Sequence, residues 1–359
     1  MKRYHVALVY NGGETSAPES PQDHGAAADL HRMIRRMGSV LRRVGYRVTI
    51  VPLANDLLAF QRALRRLRPD VVFNQYDDVV HGALYDMRLA ALVQMMGYPM
   101  TGSPALALGL TRYKFMTASL LQGLGIPTPL DTCLLEQMAD VDRHKWHFPV
   151  IVQPSREDAG IGLDQLSVVH TKKALRAKTR ESLRVYHQPA LAQRFLPGRE
   201  FNVSILGGRR PAVLPLAEVD YSHLAAGIPP IMSYAAKWLE GTPEYEGTTV
   251  ICPAPVGPAL LREIGSIALR AFHAVGAWAY VRVDMRLDEA GQPRVLEVNC
   301  NPSLEEDVSL PRSAKHAGIE YPQLLDMIVR IALEGPPFDV GVPMMGLPRA
   351  AAVPARVSR

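Results

Sequence analysis

Two acids and an amide stand at a spacing that can hold a cation. They are Asp284, Glu297 and Asn299, in the segment AWAYVRVDMRLDEAGQPRVLEVNCNP (277–302). Apolar residues alternate along both halves of it: Val281, Val283, Met285 and Leu287, then Leu296 and Val298. Side chains in a strand switch faces with period two, so Arg282, Asp284, Glu297 and Asn299 share the opposite face of a predicted hairpin. A loop at Glu289–Gln292 sets Asp288 against Pro293, Asp284 against Glu297 and Arg282 against Asn299. Carboxylates facing each other across a ladder repel unless a cation lies between them. Asp, Glu and Asn oxygens are hard ligands of the kind Mg²⁺ takes, with phosphate oxygens completing its shell. The competing reading of the same residues is a solvated face with an Arg282–Asp284 ion pair.

Something must hold that hairpin, and the chain is long enough to build it. Its 359 residues allow two or three domains, and 48% hydrophobic with 21% charged residues is a globular composition. No apolar run approaches a membrane span. The opening MKRYHVALVYNGG has too short an apolar stretch for a secretory leader and reads as a buried first strand. Cys133, Cys252 and Cys300 are few and scattered, which fits a reducing, cytoplasmic location and neither a disulfide framework nor a thiolate metal site. The net charge of +5 comes with arginines at 32, 35, 36, 42 and 43 and at 62, 65, 66 and 68. These fit the outer faces of two amphipathic helices, and no aromatic-interleaved basic motif points to nucleic acid.

Residues 4–100 alternate strand and helix patterns. Strands are expected at Tyr4–Tyr10, Arg47–Val51 and Asp70–Asn74, and helices at Ala26–Val44, Asp56–Leu67 and Gly82–Gly97. That alternation indicates a parallel sheet with crossover helices, its ligand edge at the Gly12-Gly13 turn. One helix is expected at Thr111–Leu124. Beyond it come short strands at Pro149–Gln153, Leu163–His170, Leu191–Arg194 and Glu200–Leu206, a helix at Gly257–Val275, the hairpin, and a helix at Pro311–Leu333. The expected divisions are 1–104, 105–190 and 191–334, with a flexible, proline-rich tail at 335–359.

The ordered set Lys114, VIVQPSREDAGIG (150–162), QRFLPGREF (193–201), YAAKW (234–238), CPA (252–254), RVD (282–284) and LEVNCNP (296–302) resembles D-alanine–D-alanine ligases and their relatives in the ATP-grasp superfamily. The resemblance spans roughly residues 95–330. It implies an α/β N-terminal domain followed by α+β central and C-terminal ATP-grasp subdomains, with the nucleotide between the last two. By resemblance, Lys114 and Lys237 contact phosphates, and Gln153 stands where a third phosphate lysine is usual. Gln193, Arg194, Phe195 and Leu196 form the hinge that binds adenine, its apolar side chains sandwiching the ring. Glu200 binds the ribose, or is an ion-pair partner. Asp284, Glu297 and Asn299 hold Mg²⁺ or Mn²⁺, Arg282 holds the transferring phosphoryl group, and the backbone N–H of Ser303 is an oxyanion donor. The implied reaction is ATP-dependent ligation of a small carboxylate to an amine through an acyl phosphate, with the 157–162 loop closing to exclude water. The relatives are commonly dimers, so a homodimer is compatible with the resemblance.

The chain departs from that pattern chiefly on the substrate side. Gln153 replaces lysine, Ala159 and Gly160 replace serines, Trp238 replaces tyrosine, and Ser303 replaces glycine. The Glu–Ser–Tyr set that holds the first D-alanine lacks its serine and tyrosine, and its glutamate is either Glu14 or Glu19. NQYDDVVHGALYD (74–86) replaces a His–Gly-rich stretch. The leading expectation is therefore a carboxylate–amine ligase for another amino acid or a similar compound. The alternatives are a strict D-alanine–D-alanine ligase and a non-catalytic ATP-binding protein.

Overall fold

A computed structural model describes residues 3–12, 21–53, 56–76 and 84–336, with backbone alone for 21–29. Glu14, Glu19, residues 77–83 of the 74–86 stretch, and all but the start of the expected tail lie outside the described residues. The strands β1 (His5–Asn11), β2 (Arg47–Leu53) and β3 (Val71–Gln75) form a parallel sheet in the order β2-β1-β3. Helices α1 (Pro21–Val44) and α2 (Leu57–Leu67) are the crossovers that parallel pairing requires, and α3 (Tyr85–Met95) follows β3. β1 is buried on both faces. Val6 and Leu8 share a cluster with Ile34, Met37 and Leu41 of α1, while Ala7 and Val9 pack with Phe60 and Leu64 of α2. Both arginine clusters face solvent, as expected of outer helix faces.

The helix expected at Thr111–Leu124 is in fact two, α4 (Ala105–Arg112) and α5 (Lys114–Gly123). Tyr113 leaves helical geometry between them, at φ −94° and ψ 84°, and the Thr117 hydroxyl donates to Leu110 O across the break. The break puts Lys114 at the start of α5. A second sheet joins β4 (Cys133–Leu135), β5 (Val150–Pro154), β6 (Val168–Val169) and β7 (Ala190–Arg194) in the order β4-β7-β5-β6, with α6 (Asp140–Arg143) before β5 and α7 (Lys172–Val185) before β7. Val150, Val152, Ala190 and Ala192 pack with Leu175 of α7. The strand expected at Leu163–His170 shrinks to two residues, because Asp164 and Ser167 bond to each other's backbone and side chain and make a turn instead. The expected division at 190/191 runs through β7, which pairs with β4 and β5.

The third sheet has β8 (Glu200–Leu206), β9 (Ala212–Val213), β10 (Ala217–Asp220), β11 (Thr249–Ile251), β12 (Tyr280–Leu287) and β13 (Pro293–Asn299). Its order is β11-β10-β8-β12-β13, with β9 on β8. Short helices α8 (Tyr234–Trp238) and α9 (Pro243–Glu246) precede β11, and α10 (Pro258–Ala274) precedes β12. Ile264, Ile267, Ala268, Ala271 and Phe272 of α10 pack beneath Val281, Val283 and Met285, which fixes the other face of β12 as the open one. The helix expected at Pro311–Leu333 is α11 (Ser309–His316) and α12 (Tyr321–Glu334), parted at Gly318, whose φ of +79° few other residues adopt. α12 packs against α1 and the parallel sheet, and Tyr46 donates to Asp326 at 2.6 Å. No helix among the described residues is long and apolar enough to cross a membrane.

Candidate functional site

The expected register holds at the chemistry and slips beside it. Arg282 pairs with Asn299 and Asp284 with Glu297, but Met285 pairs with Val295 and Leu287 with Pro293. Leu296 is thus the extra residue of a β-bulge, and the buried apolar pair of β13 is Val295 and Val298 rather than Leu296 and Val298. Asp288 consequently does not face Pro293. Nor is the hairpin isolated, since β12 also pairs with β8. The open face carries three rows: Ser204–Arg282–Asn299, Asn202–Asp284–Glu297 and Glu200–Arg286.

Both opposed carboxylates are compensated by cations. Arg282 donates from Nε and Nη2 to the two oxygens of Asp284 at 2.6 and 2.7 Å and lies 3.7 Å from Glu297 Oε1. Asn202 adds a hydrogen bond to Asp284 at 2.8 Å. Lys114, buried, donates to Glu297 at 2.5 Å and to Asp158 at 2.9 Å. The ion pair of the competing reading therefore exists, yet in a partly buried cluster instead of a solvated face. Burial pushes both carboxyls up. For Glu297 the charges of Lys114, Lys237 and Arg282 overcome burial and hold its carboxyl far below the usual range. For Asp284 burial wins over Arg282, and the Glu297 charge adds to the upward shift. Lys114 moves up because Asp158 and Glu297 outweigh its burial.

Lys237, on α8, makes no hydrogen bond or ion pair to the described residues. Burial lowers its pKa, Glu297 opposes the change and Arg282 reinforces it. A half-buried ammonium with no direct partner among the described residues, beside Glu297, is a cation available to an anionic ligand. The neighbouring Trp238 donates from its indole to Ala159 O at 3.0 Å, and Tyr234 N donates to Leu163 O at 3.3 Å. These bonds lay the 157–162 loop against α8. A Cβ on Gly160, whose φ is +80°, would come 2.8 Å from Tyr234 N. The serine usual there has no room.

The hinge residues divide their donors. The N–H of Arg194 binds Leu130 O and that of Phe195 binds Pro149 O, while Gln193 donates from its side chain to Thr132. Arg194 is committed to Asp131 at 2.9 Å. Among the described residues the N–H of Leu196 has no hydrogen-bond partner. Phe195 does not present a bare ring, because the Arg286 guanidinium lies 4.9 Å from its centroid. Glu200 is buried and accepts from Arg286 and Tyr221, each at 3.0 Å, and burial raises its pKa against the Arg286 charge.

The donor chemistry suits a divalent cation. Asp284 and Glu297 are direct cross-strand partners, Asn299 stands two residues from Glu297 on the same face, and three cations surround the pair. Asn299 Oδ1 itself accepts from Asn301 N at 2.9 Å. Ser303 is exposed and its hydroxyl accepts from Glu305 N, so its side chain faces its own turn. Gln153 is half-buried on β5 and makes no side-chain hydrogen bond to the described residues. Sequence reasoning missed Asp158, Arg112, Asn202, Tyr221 and Arg286. Arg286 was within reach of it, lying two residues beyond Asp284 on the same face; Asp158 sits in a loop with no periodicity to mark it.

A parallel three-stranded sheet, two antiparallel sheets, and cations converging on opposed carboxylates between them define an ATP-grasp enzyme. The family described as "D-ala D-ala ligase C-terminus" matches residues 120–330. The uncharacterized protein y4sG of Sinorhizobium fredii is 32% identical over 73% of this chain and 74% of its own. The D-alanine–D-alanine ligase of Marinomonas sp. is 29% identical over 92% of this chain and 96% of its own. The crystal structure of the D-alanine–D-alanine ligase of Bacillus anthracis complexed with ATP superposes with a TM-score of 0.69 at 21% identity, covering 93% of this chain and 98% of that one. The chain belongs to the D-alanine–D-alanine ligase family and is an ATP-grasp ligase that forms C–N bonds.

Proposed function

We propose that the protein joins a small carboxylate to an amine at the expense of ATP, through an acyl phosphate, and that its preferred substrate is an amino acid or similar compound other than D-alanine. The observation that carries the reading is the Asp284–Glu297 pair, opposed on β12 and β13 with Lys114, Lys237 and Arg282 around it. Asp284, Glu297 and Asn299 would hold Mg²⁺, which when bound would supply positive charge to neutralise nucleotide phosphates.

The chain's own residues do the rest. Lys114 and Lys237 grip the phosphates, the Leu196 N–H meets the base, and Arg282 neutralises charge on the transferring phosphoryl group. A substrate carboxylate attacks the γ-phosphorus and ADP leaves. The amine then attacks the acyl carbon and phosphate leaves, giving the amide. Oxide is a poor leaving group and phosphate a good one, which is why the first step is needed. The loop held to α8 by Trp238 keeps water from the acyl phosphate. In this reading the central and C-terminal units meet between Arg194 and Glu200, and the nucleotide lies across that junction.

The test is phosphate release by purified protein with ATP, Mg²⁺ and pools of amino acids, followed by mass spectrometry of the amide product. Stimulation by one pool with a matching product supports the reading. ATP binding without stimulation or product by any pool would overturn it.

A further inference from the structure

Lys178 is a buried lysine that the ligation chemistry leaves unused. It stands on α7, one turn beyond the core residue Leu175, and is only 7% exposed. Its ammonium donates to Asp164 at 3.1 Å and pairs with Glu181 at 2.9 Å. Taking an ammonium out of water is costly unless carboxylates compensate it. Glu181 is a neighbour on the same helix, so that pair joins nothing new. Asp164 lies two residues beyond the 157–162 loop, so the pair with it ties the loop to α7.

Asp164 carries that tie into the backbone. Its Oδ1 accepts from Leu166 N at 2.9 Å and from the Ser167 hydroxyl at 3.1 Å, and its Oδ2 accepts from Lys178. The other stem of the loop is fixed to the far end of the same helix. Gln188, buried just past α7, accepts from Arg156 N at 2.7 Å and donates to Glu157 at 2.6 Å. The loop therefore leaves α7 at Gln188 and returns to it at Lys178. In between, Ala159, Gly160 and Gly162 have positive φ and form no ladder, so few contacts fix this stretch besides those to Lys114 and α8. The returning stem has no slack, since a Cβ on Gly162 would come 2.4 Å from Pro154.

We infer that Lys178 is a positioning residue: through Asp164 it sets the returning stem of the loop, and without it water competes with the amine for the acyl phosphate. The inference rests on the ligase reading above. In the competing step water oxygen bonds to the acyl carbon, and phosphate leaves with the electrons of the C–O bond. A proton is lost and the substrate carboxylate is regenerated, so ATP is consumed and no amide forms.

Asp164→Asn is the first variant, because Asp164 is exposed and an amide oxygen can still accept from Leu166 N and Ser167. Hydrogen exchange on the full chain follows the N–H groups of Ile161 and Leu163, which donate to Asp158 O and Gly160 O within the loop. Both should exchange about fivefold faster in the variant. With ATP, Mg²⁺ and the amino-acid pool that stimulates wild type, phosphate released per amide formed should rise about twofold or more, with KM for ATP within about twofold of wild type. Lys178→Met should reproduce both effects, and Lys178→Arg should return the ratio to the wild-type value. Glu181→Gln removes the partner on the same helix and should leave the ratio unchanged. A purely structural role would lower the melting temperature and the rate without moving phosphate per amide. An unchanged ratio or unchanged loop exchange in Asp164→Asn overturns the inference alone, as does equal uncoupling by Glu181→Gln. Stimulation of wild type by no pool overturns the ligase reading and this inference with it.

Discussion

The ammonium of Lys114 lies 2.9 Å from the carboxylate of Asp158, a residue 44 positions away in the loop beside α8. Asp158 also accepts from Arg112, which in turn binds Asp86. A carboxylate is therefore paired with the cation proposed to grip phosphate. On that proposal, nucleotide binding would share or displace it. Asp158→Asn should tighten ATP binding about fivefold, the equivalent of ~1 kcal/mol for a partly exposed pair, by calorimetry. Weaker binding by the variant would show that Asp158 supports the phosphate site and does not compete for it.

The opposed carboxylates carry a stability prediction whose sign depends on their partners. Repulsion alone suggests that neutralising one would stabilise the protein. The structure reverses this, because Asp284 holds a half-buried Arg282 through two hydrogen bonds. Asp284→Asn should abolish Mg²⁺-dependent turnover and lower unfolding stability by on the order of 2 kcal/mol, since it removes the guanidinium's hydrogen-bonded counter-charge and leaves only Glu297, at 3.7 Å. Denaturant melts of the apo protein measure it. An unchanged or raised midpoint would mean that repulsion outweighs the ion pair.

Lys237 sets a pH dependence. Burial lowers its pKa from 10.5, whereas Asp158 and Glu297 raise that of Lys114, so Lys237 loses its proton first as pH rises. The kcat/KM for ATP, which reports the free enzyme, should fall through the lowered Lys237 value, and Lys237→Arg should move that fall upward. Stability runs the other way. The folded chain holds this proton less tightly than the unfolded chain, so the Lys237 contribution grows from the lowered folded value up to 10.5. An alkaline limb unmoved by the arginine variant would assign it to another group.

Much of this site was legible because strands have period two. Arg282, Asp284, Glu297 and Asn299 fall on one face in the expected register, since Val281, Val283 and Met285 must face α10. What was not legible depends on contacts between distant segments. The bulge at Leu296 obeys no local pattern. The break at Tyr113 has no glycine or proline to announce it and rests on the Thr117 hydroxyl bonding across it. Asp158 gains its meaning only when Lys114 and Arg112 fold beside it.

Substrate choice should follow from the loop and α8. Trp238 is 57% exposed and bonded to Ala159 O, and Gly160 is pressed against the Ser233–Tyr234 backbone. The serine that D-alanine ligases carry here is therefore excluded by backbone and not merely absent. D-alanine should release phosphate more slowly than the best substrate in an amino-acid screen. Gly160→Ser should not improve D-alanine and should weaken turnover about tenfold or more, because a Cβ at 2.8 Å from Tyr234 N forces the loop away. D-alanine as the fastest substrate of wild type, yielding its dipeptide, would refute this.

Gln153 decides how much phosphate grip has been lost. A lysine there would offer an ammonium; glutamine offers an amide dipole with no side-chain partner among the described residues. A charge-assisted hydrogen bond contributes about 1.5–3 kcal/mol against roughly 1 for a neutral one, so the deficit is on the order of 1–2 kcal/mol, or about tenfold. Arg194 is not free to make it up, being tied to Asp131. Arg156 is better placed, with its guanidinium 5.0 Å from the ring of Tyr113, the residue before Lys114. Gln153→Lys should therefore tighten ATP binding about tenfold or less, and Arg156→Ala should weaken wild type by a similar factor. The double variant Gln153→Lys/Arg156→Ala should return to near the wild-type affinity, because one cation then replaces the other. Calorimetry on the three variants measures each term. A large gain from Gln153→Lys with no effect of Arg156→Ala would show that Arg156 does not substitute for the missing lysine, and that the wild-type site works with Lys114 and Lys237 alone.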